Sequence, residues 1–303
     1  MATVKTNKTA TEKAKNAPLK GENIMKKLLT LVMTAVLGIA CVFGMTACGE
    51  TKNGEKEQKT FTVLTNCPFA PFEYTENGKI YGIDMEIAAG FAKENNYKLV
   101  IKNIDFDAIE SQVGAGYGDI GMAGMSITPE RLASYAFSTE YYSASQVLLV
   151  KADDTSFDAC KTKDDVDAVL KTKAKLGAQS GTTGFSYIVD KDCLGLEQSK
   201  QKGYEDGQTA AMDLSNGNVD VVIIDEAPAK ALQANMKGLK VIDIKLTEEK
   251  YAFLIKKDNT ELVESMNNYL AKIKANGEFD KIVNKYNGGE DEKIGYSFVD
   301  ENN

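Results

Sequence analysis

Two successive runs of alternating strand and helix patterns dominate this chain of 303 residues. In the first run, short apolar segments at 61–65 and 98–102 flank an amphipathic segment at 84–94. The alternation starts again at the apolar segment 146–151 and reaches a β-branched segment at 219–224. Such alternation predicts mostly parallel sheets with helices on both faces. The sequence therefore predicts an α/β fold, and its length accommodates two units of about 100 residues each.

Several predicted strands are followed by residues that cap helices. Asp105 and Thr128 are typical N-cap residues. Pro129 takes the first helical position after Thr128, where its missing N–H costs nothing. Thr182 or Thr183 is predicted to cap a helix in the second run. Each of these helices is thus expected to begin directly after a strand.

Three further elements are predicted from local patterns. Strands are expected at 119–124 and at 251–255. A long helix should follow the second of them and end at Gly277. The apolar face of that helix is formed by Leu262, Met266, Leu270 and Ile273.

Composition excludes several classes of function. The chain has no histidine, so the commonest general base and the commonest zinc ligand are missing, and Ser-His and Cys-His catalysis are excluded. We expect no cofactor and no metal.

Residues 1–48 hold seven lysines and two glutamates, so their removal takes the formal net charge from −8 to −13. An acidic protein of this kind is a poor binder of nucleic acid.

Arg131 is the only arginine, although lysine and arginine together number 36. A guanidinium group offers a planar fork that binds a carboxylate through two parallel hydrogen bonds, whereas lysine is a flexible point charge. A chain that uses lysine everywhere else is expected to need this geometry at residue 131. The alternative is an incidental arginine on a solvated helix.

The N-terminal fifth has the pattern of an export signal. A lysine pair, an apolar run at 28–45 and small residues before Cys48 form its three regions. Residues 25–47 are therefore predicted to be a lipoprotein signal peptide, with Cys48 as the lipid-modified N-terminus of the mature protein. An uncleaved membrane helix is the alternative, and Cys41 is the weaker lipidation site.

The segments on either side of the signal have simpler interpretations. The codons for 20–22 can form a ribosome-binding core, so we expect translation to start at Met25 and residues 1–24 to be an upstream mis-start. A genuine lysine-rich extension is the alternative. The polar segment 48–59 lacks apolar periodicity and is predicted to tether the folded part to the membrane.

Seven motifs in order resemble the bacterial extracellular solute-binding proteins for polar amino acids. The resemblance covers residues 60–287, and Phe91 departs from the aliphatic residue usual in the family's signature helix. The motifs lie at 69–74, 82–87, 105–107, 123–131, 179–183, 225–228 and 251–253.

This resemblance implies a two-lobed periplasmic-binding-protein fold of type II, in which each lobe is a mixed, mostly parallel sheet flanked by helices. Residues 60–142 and 251–287 would form lobe 1, and residues 143–250 would form lobe 2. Two strands near 141–145 and 247–251 would form the hinge. Residues 288–303 would be an acidic tail.

The resemblance also implies how a zwitterionic amino acid is held. Arg131 and the helix start at Thr182 and Thr183 would bind its carboxylate. The acceptors for its ammonium would be the Asp225 carboxylate, the Ser126 hydroxyl and the Gly124 carbonyl. Taken alone, Asp225 could instead cap the helix that follows it.

Four further residues would form the side-chain pocket. Phe69 and Phe106 would face each other across the ligand's aliphatic stem. Many relatives have aspartate where this chain has Asn66, and Gln179 occupies a second variable position. These two neutral amides favour an uncharged polar ligand such as glutamine, or alternatively cystine.

The function implied is capture of an amino acid by cleft closure and its delivery to an ABC permease, which hydrolyses the ATP. The protein would be a monomer, lipid-anchored on the extracellular face of the cell membrane. Two alternatives stay open: a ligand-sensing domain, and an enzyme on the same scaffold such as a cyclohexadienyl dehydratase. The enzyme would need an acid such as Glu73 or Glu226, which are otherwise expected to be solvated or capping residues.

The cysteines allow one disulfide in an exported protein. Cys160 and Cys193 both fall in the second run, so a bond between them is chemically possible, but spacing alone does not establish it. Cys67 has no evident partner and is expected to be a free thiol beside the cleft.

Overall fold

A computed structural model describes residues 58–301 as an α/β protein with two main sheets. The strands are β1 (Thr60–Thr65), β2 (Tyr74–Glu76), β3 (Lys79–Tyr81), β4 (Lys98–Asn103), β5 (Ile120–Gly121), β6 (Tyr135–Phe137), β7 (Tyr142–Ala144), β8 (Gln146–Lys151), β9 (Leu176–Gln179), β10 (Gln201–Tyr204), β11 (Val221–Asp225), β12 (Leu239–Ile242), β13 (Glu249–Tyr251), β14 (Leu254–Lys256) and β15 (Val299–Asp300). The helices are α1 (Ile83–Glu94), α2 (Phe106–Ala115), α3 (Pro129–Ser134), α4 (Lys163–Leu170), α5 (Thr183–Val189), α6 (Gly207–Asn216), α7 (Glu226–Asn235), α8 (Thr260–Ala275) and α9 (Glu278–Tyr286), with a 3-10 turn at Gln198–Lys200.

The first main sheet has six strands in the order β15-β4-β1-β5-β14-β6. β1 is parallel to both of its neighbours, whereas β14 is antiparallel to β5 and β6. The sheet therefore combines strands from the beginning and the end of the described chain. We call the part built on it lobe 1, comprising residues 58–141 and 252–301.

The second main sheet has five strands in the order β10-β9-β11-β8-β12. Every residue of Val221–Asp225 is buried, because β11 lies between β9 and β8 near the centre of the sheet. Its apolar side chains divide between the two faces, so this strand is covered by helices on both sides. We call the part built on this sheet lobe 2, comprising residues 145–248. The predicted α/β fold with two mixed sheets is confirmed.

Two short strands connect the lobes. β7 and β13 pair antiparallel, with Tyr142 opposite Tyr251, and the rings of these two tyrosines stack with centroids 5.8 Å apart. The chain passes from lobe 1 to lobe 2 through β7 and returns through β13. We call this pair of strands the hinge.

Several local predictions hold. The Thr128 hydroxyl accepts a hydrogen bond from the Arg131 N–H, and Thr182 caps α5 through the Phe185 N–H. Asp105 stands at the N-cap position of α2 but makes no capping side-chain bond. The segment 146–151 forms β8 as predicted.

Two predicted element bounds are wrong. The strand predicted at 119–124 has only Ile120–Gly121, because the chain turns at Gly124, which has a φ of +55°. The strand predicted at 251–255 is divided between β13 in the hinge and β14 in lobe 1. By contrast, α8 ends at Ala275 and Gly277 follows its cap with a φ of +78°, so the prediction that Gly277 ends this helix is confirmed.

The segment predicted to be an acidic tail adds to lobe 1. Tyr296 and Ile80 exchange two backbone hydrogen bonds of 2.8 and 3.0 Å, and β15 extends the edge of the first sheet beside β4.

The predicted extension 1–24, signal 25–47, lipidation site Cys48 and most of the tether lie outside the described residues. Among residues 58–301, no helix is long and apolar enough to cross a membrane.

The three cysteines within residues 58–301 are free thiols. Cys160 and Cys193 pack against the same apolar core of lobe 2 without forming a disulfide. Cys67 is a free thiol as expected, and burial raises its pKa well above the ordinary value, so it is not a reactive thiolate.

Candidate functional site

A cavity lies between the two lobes beside the hinge. The ten residues predicted to bind a ligand all line it, together with Glu73 and Ala123. The lining is formed by Asn66, Phe69, Glu73, Phe106, Ala123, Gly124, Ser126, Arg131, Gln179, Thr182, Thr183 and Asp225. The structure therefore brings together residues that are separated by as much as half of the chain.

Strand ends explain why these residues meet. Asn66 follows β1 directly, whereas Gln179 and Asp225 are the last residues of β9 and β11. The carboxyl ends of strands in open α/β sheets form the crevice where such folds bind ligands. The two lobes point these ends toward each other, so each contributes one wall of the cavity.

The Arg131 side chain is held in place on both sides of the cleft. Its Nε donates to the Glu110 carboxylate at 2.9 Å, and its two terminal nitrogens donate to the carbonyl oxygens of Ser126 at 2.8 Å and Gly181 at 3.0 Å. Its guanidinium carbon lies 5.7 Å from the centre of the Phe106 ring. A guanidinium has five N–H donors, so one N–H on each terminal nitrogen is left to bind a carboxylate.

Asp225 ends β11 in a buried position. Its carboxylate accepts a hydrogen bond from the hydroxyl of Tyr251, and burial together with the charge of Glu249 raises its pKa to about 7. Its side chain makes no capping bond to the helix that follows, although it stands at the N-cap position. The carboxylate is therefore available to a cation in the cavity.

Glu73 is the most unusual group in this lining. It is fully buried, and neither of its carboxylate oxygens has a hydrogen-bond partner within residues 58–301. Burial, with the charges of Asp84 and Asp225, raises its pKa well above the ordinary value. The expectation that Glu73 is solvated or caps a helix is wrong. The preceding residue, Phe72, packs edge-on against the rings of the hinge tyrosines Tyr142 and Tyr251, and this packing covers the loop that carries Glu73.

Asp84 supports the site from behind. One of its oxygens accepts from the Gly124 N–H at 3.2 Å and the other from the Tyr141 hydroxyl at 2.7 Å. Burial raises its pKa to about 7. A side chain at Gly124 would lie 2.6 Å from the Phe69 ring, so only glycine fits this close approach. Asp84 thus holds the turn whose carbonyl was predicted to bind the ammonium.

The two neutral amides bind each other across the cleft. The Gln179 amide nitrogen donates to the Asn66 side-chain oxygen at 2.7 Å and also to the backbone carbonyl of Glu205. The Asn66 amide nitrogen donates to the carbonyl of Ile104 at 2.8 Å. Most of their hydrogen-bonding capacity is therefore used within the protein rather than presented to a ligand.

Glu226, the second acid considered for an enzyme, does not line this cavity. It forms ion pairs with Lys230 and, at 3.8 Å, with Lys245. These lysines hold its pKa below the ordinary value. A carboxylate of this kind is a poor proton donor.

Two supporting carboxylates were not identified in the sequence. Glu110 lies one helical turn after Phe106 on α2, so their shared face was a usable signal for the pairing with Arg131. Glu249 accepts hydrogen bonds from the hydroxyls of Ser126 and Thr183. It lies in the charged stretch 248–250, which gave no indication of a contact with the site.

The lobes are drawn closely together in this structure. The open space among the lining side chains is about 10 Å³, roughly that of one water molecule. The Arg131–Gly181 and Asn66–Gln179 hydrogen bonds both join lobe 1 to lobe 2. This space is therefore too small to hold an amino acid with the lobes in this position.

A family model and the relatives of known name agree on the family to which this chain is similar. The model of the bacterial extracellular solute-binding proteins, family 3, matches residues 61–289. A probable histidine-binding protein of Neisseria gonorrhoeae is 32% identical over 75% of this chain and 83% of its own length. The ABC transporter arginine-binding protein 1 of Escherichia coli (strain K12) is 32% identical over 86% of this chain and 99% of its own.

Solved structures agree with this result over both lobes. An ancestral arginine-binding protein bound to arginine is 35% identical, with a TM-score of 0.68 over 76% of this chain and 99% of its own. The same type of ancestral protein bound to glutamine is 34% identical, with a TM-score of 0.68 over 77% of this chain and 99% of its own.

Proposed function

Because the chain belongs to the bacterial extracellular solute-binding proteins, family 3, we propose that it captures a free amino acid between its lobes and delivers it to an ABC permease. The observation that carries this proposal is the cavity itself, which places one guanidinium and one buried aspartate in the same enclosed space. Arg131 would bind the α-carboxylate, and Asp225 would bind the α-ammonium.

Other lining groups complete this assignment. The N–H groups at the start of α5, beside Thr182 and Thr183, have no partner within the helix and would add to the carboxylate site. The Ser126 hydroxyl and Gly124 carbonyl would join Asp225 around the ammonium. Phe69 and Phe106 would cover the ligand's aliphatic stem.

The charge balance favours a ligand with a cationic side chain. Glu73 and Asp225 line the cavity and Glu249 lies behind it, whereas Arg131 is already paired with Glu110. A zwitterion adds no net charge, but a cationic amino acid adds one positive charge to this acidic space. Glu73, whose oxygens have no hydrogen-bond partner in the described part of the chain, is the group we assign to that cation. We therefore propose arginine or a similar basic amino acid.

An uncharged polar ligand such as glutamine is the second candidate. The raised pKa of Glu73 allows it to stay protonated, and a carboxylic acid can exchange two hydrogen bonds with a side-chain amide. This candidate retains the preference predicted from Asn66 and Gln179. The difference between the candidates is the protonation state of Glu73 in the complex.

Closure of the lobes would couple binding to transport. Arg131 and Ser126 belong to lobe 1, whereas Thr183 and Asp225 belong to lobe 2, so a ligand completes its contacts only when the lobes are together. The hydrogen bonds gained then favour the closed state, and this shape would be recognised by the permease.

Calorimetric titration of the folded part with the twenty amino acids and cystine tests the proposal. We expect micromolar or tighter binding of L-arginine, with the bound molecule recovered chemically unchanged. Repeating the titration in buffers of different ionisation enthalpy should reveal proton release from Glu73. Failure of all ligands to bind would refute the amino-acid function, and conversion of the ligand would favour the enzyme alternative.

We propose in addition that the protein is a monomer anchored outside the cell by lipid on Cys48. The support is the export pattern at 25–47 and the extracellular family. Metabolic labelling with a fatty acid should mark the mature protein, and Cys48→Ser should abolish the label. A label that persists in Cys48→Ser but disappears in Cys41→Ser would move the anchor to Cys41.

A further inference from the structure

The Glu249 carboxylate accepts hydrogen bonds from three hydroxyl groups. One oxygen accepts from Ser126 of lobe 1 and, at 2.9 Å, from Thr183 of lobe 2. The other oxygen accepts from Thr247 at 2.6 Å. Glu249 itself lies on hinge strand β13 and does not line the cavity. It therefore stands directly behind two residues of the binding site.

The backbone keeps Ser126 beside this carboxylate. Ser126 forms a β-bridge with Tyr251, and the Ile127 N–H donates to the carbonyl of Lys250 at 2.9 Å. The Ala252 N–H returns a bond of 3.1 Å to the carbonyl of Met125. The chain around Ser126 is thus attached to the hinge strand on both sides, which holds its hydroxyl beside Glu249.

The direction of these hydrogen bonds decides what each hydroxyl can bind. A hydroxyl has a single proton and two acceptor lone pairs. Thr183 donates its proton to Glu249 and accepts from the Gln146 amide at 3.0 Å, and Thr247 accepts from the Gln146 N–H at 2.8 Å. Ser126 also donates its proton to Glu249, and it lines the cavity. Toward the cavity its hydroxyl oxygen can therefore only accept a hydrogen bond.

From this arrangement we propose that Glu249 is a positioning residue that makes Ser126 an obligate acceptor and so selects ligands that carry an α-ammonium group. The inference rests on the proposed function, because it concerns the same amino-acid cavity. An ammonium has three donors and no acceptor, so it matches an oxygen whose only proton is already committed. A methylene in the same place has no donor and leaves that oxygen unpaired.

Removal of both acceptor oxygens frees the Ser126 proton. In Glu249→Leu, no oxygen is left behind Ser126, so the Ser126 proton turns toward the cavity and opposes the ammonium protons. Glu248→Leu is the matched control, because Glu248 is the preceding residue, undergoes the same exchange and is exposed. The same reasoning predicts no effect of the control on binding.

The test compares two ligands that differ only in the α-ammonium. The probes are L-arginine and 5-guanidinopentanoic acid, or L-glutamine and glutaramic acid if glutamine is the amino acid found to bind. We expect Glu249→Leu to weaken binding of the amino acid by about 10- to 100-fold, as for a lost hydrogen bond to a charged group. The analogue without the ammonium should change much less, so the ratio of the two affinities falls.

The outcomes separate this inference from a structural effect. Equal weakening of both ligands by Glu249→Leu leaves the ratio of their affinities unchanged, which would mean that the residue only holds the lobes and would overturn the inference. Wild-type protein that binds no amino acid would instead refute the proposed function. If Glu249→Leu does not fold, Ser126→Ala must itself lower the ratio of the two affinities, and an unchanged ratio would contradict us.

Discussion

Arg131→Lys is expected to weaken binding of the amino acid by about 1 to 3 kcal/mol, or roughly 5- to 150-fold. The guanidinium makes three hydrogen bonds to protein oxygens and still has one N–H on each terminal nitrogen for a carboxylate. A lysine ammonium has three donors in all, so it cannot bind all three of these protein oxygens and also hold the ligand. Isothermal titration of the variant measures the loss.

The control for this prediction is Glu110→Gln. This change removes the ion pair at Nε but leaves both terminal nitrogens of Arg131 on their carbonyl partners. We expect a smaller loss of affinity, because the fork that faces the ligand stays in place. Thermal unfolding should show that Arg131→Lys is folded. Equal affinities for wild type and Arg131→Lys would remove Arg131 from the binding site.

Glu73→Gln is expected to weaken binding of a basic amino acid by about 2 to 3 kcal/mol, or roughly 30- to 150-fold. The buried carboxylate has no partner among the described residues, so a cationic side chain is the partner that compensates its burial. An amide of the same shape cannot supply that charge. Titration with L-arginine and with L-glutamine should show that only the first is strongly affected.

Glu76→Gln is the matched control for Glu73→Gln. Glu76 is exposed and lies three residues further along the chain, so the same exchange there should leave both affinities unchanged. If the wild type binds glutamine, rejects arginine and tolerates Glu73→Gln, then Glu73 is a neutral acid in the complex. The uncharged candidate would then be the correct one.

The Glu73→Gln variant also tests the electrostatics of the ligand-free protein. Glu73, Asp84 and Asp225 all have pKa values raised by burial, the two aspartates to about 7. The folded state therefore keeps protons that the unfolded chain releases above about pH 4, so these groups lower the stability as the pH rises toward 7. The chain has no histidine to oppose this trend.

We therefore expect the ligand-free wild type to be more stable at pH 5 than at pH 8, by on the order of a few kcal/mol. Glu73→Gln removes one of the three groups and should make the pH dependence shallower. Denaturant unfolding at the two pH values measures both slopes. Identical slopes would mean that Glu73 does not change its protonation between the folded and unfolded states in this range.

The sequence by itself determined the parts of this protein that depend on neighbours along the chain. The caps at Thr128 and Thr182 form because each hydroxyl reaches an N–H three residues ahead. The burial of Val221–Asp225 follows from an apolar run that only a central strand accommodates. The ten lining residues were selected through the resemblance of their motifs to the solute-binding family, which the sequence alone displays.

Only the tertiary structure decided how the lining residues are charged and oriented. Glu73 stands beside an ordinary polar turn, and its burial arises from hinge tyrosines that come from much later in the chain. Glu249 meets Ser126 across a sequence separation of 123 residues, and Arg131 meets Gly181 across 50. Desolvation and the direction of a hydrogen bond depend on what packs around a group in space, and local sequence carries no record of that packing.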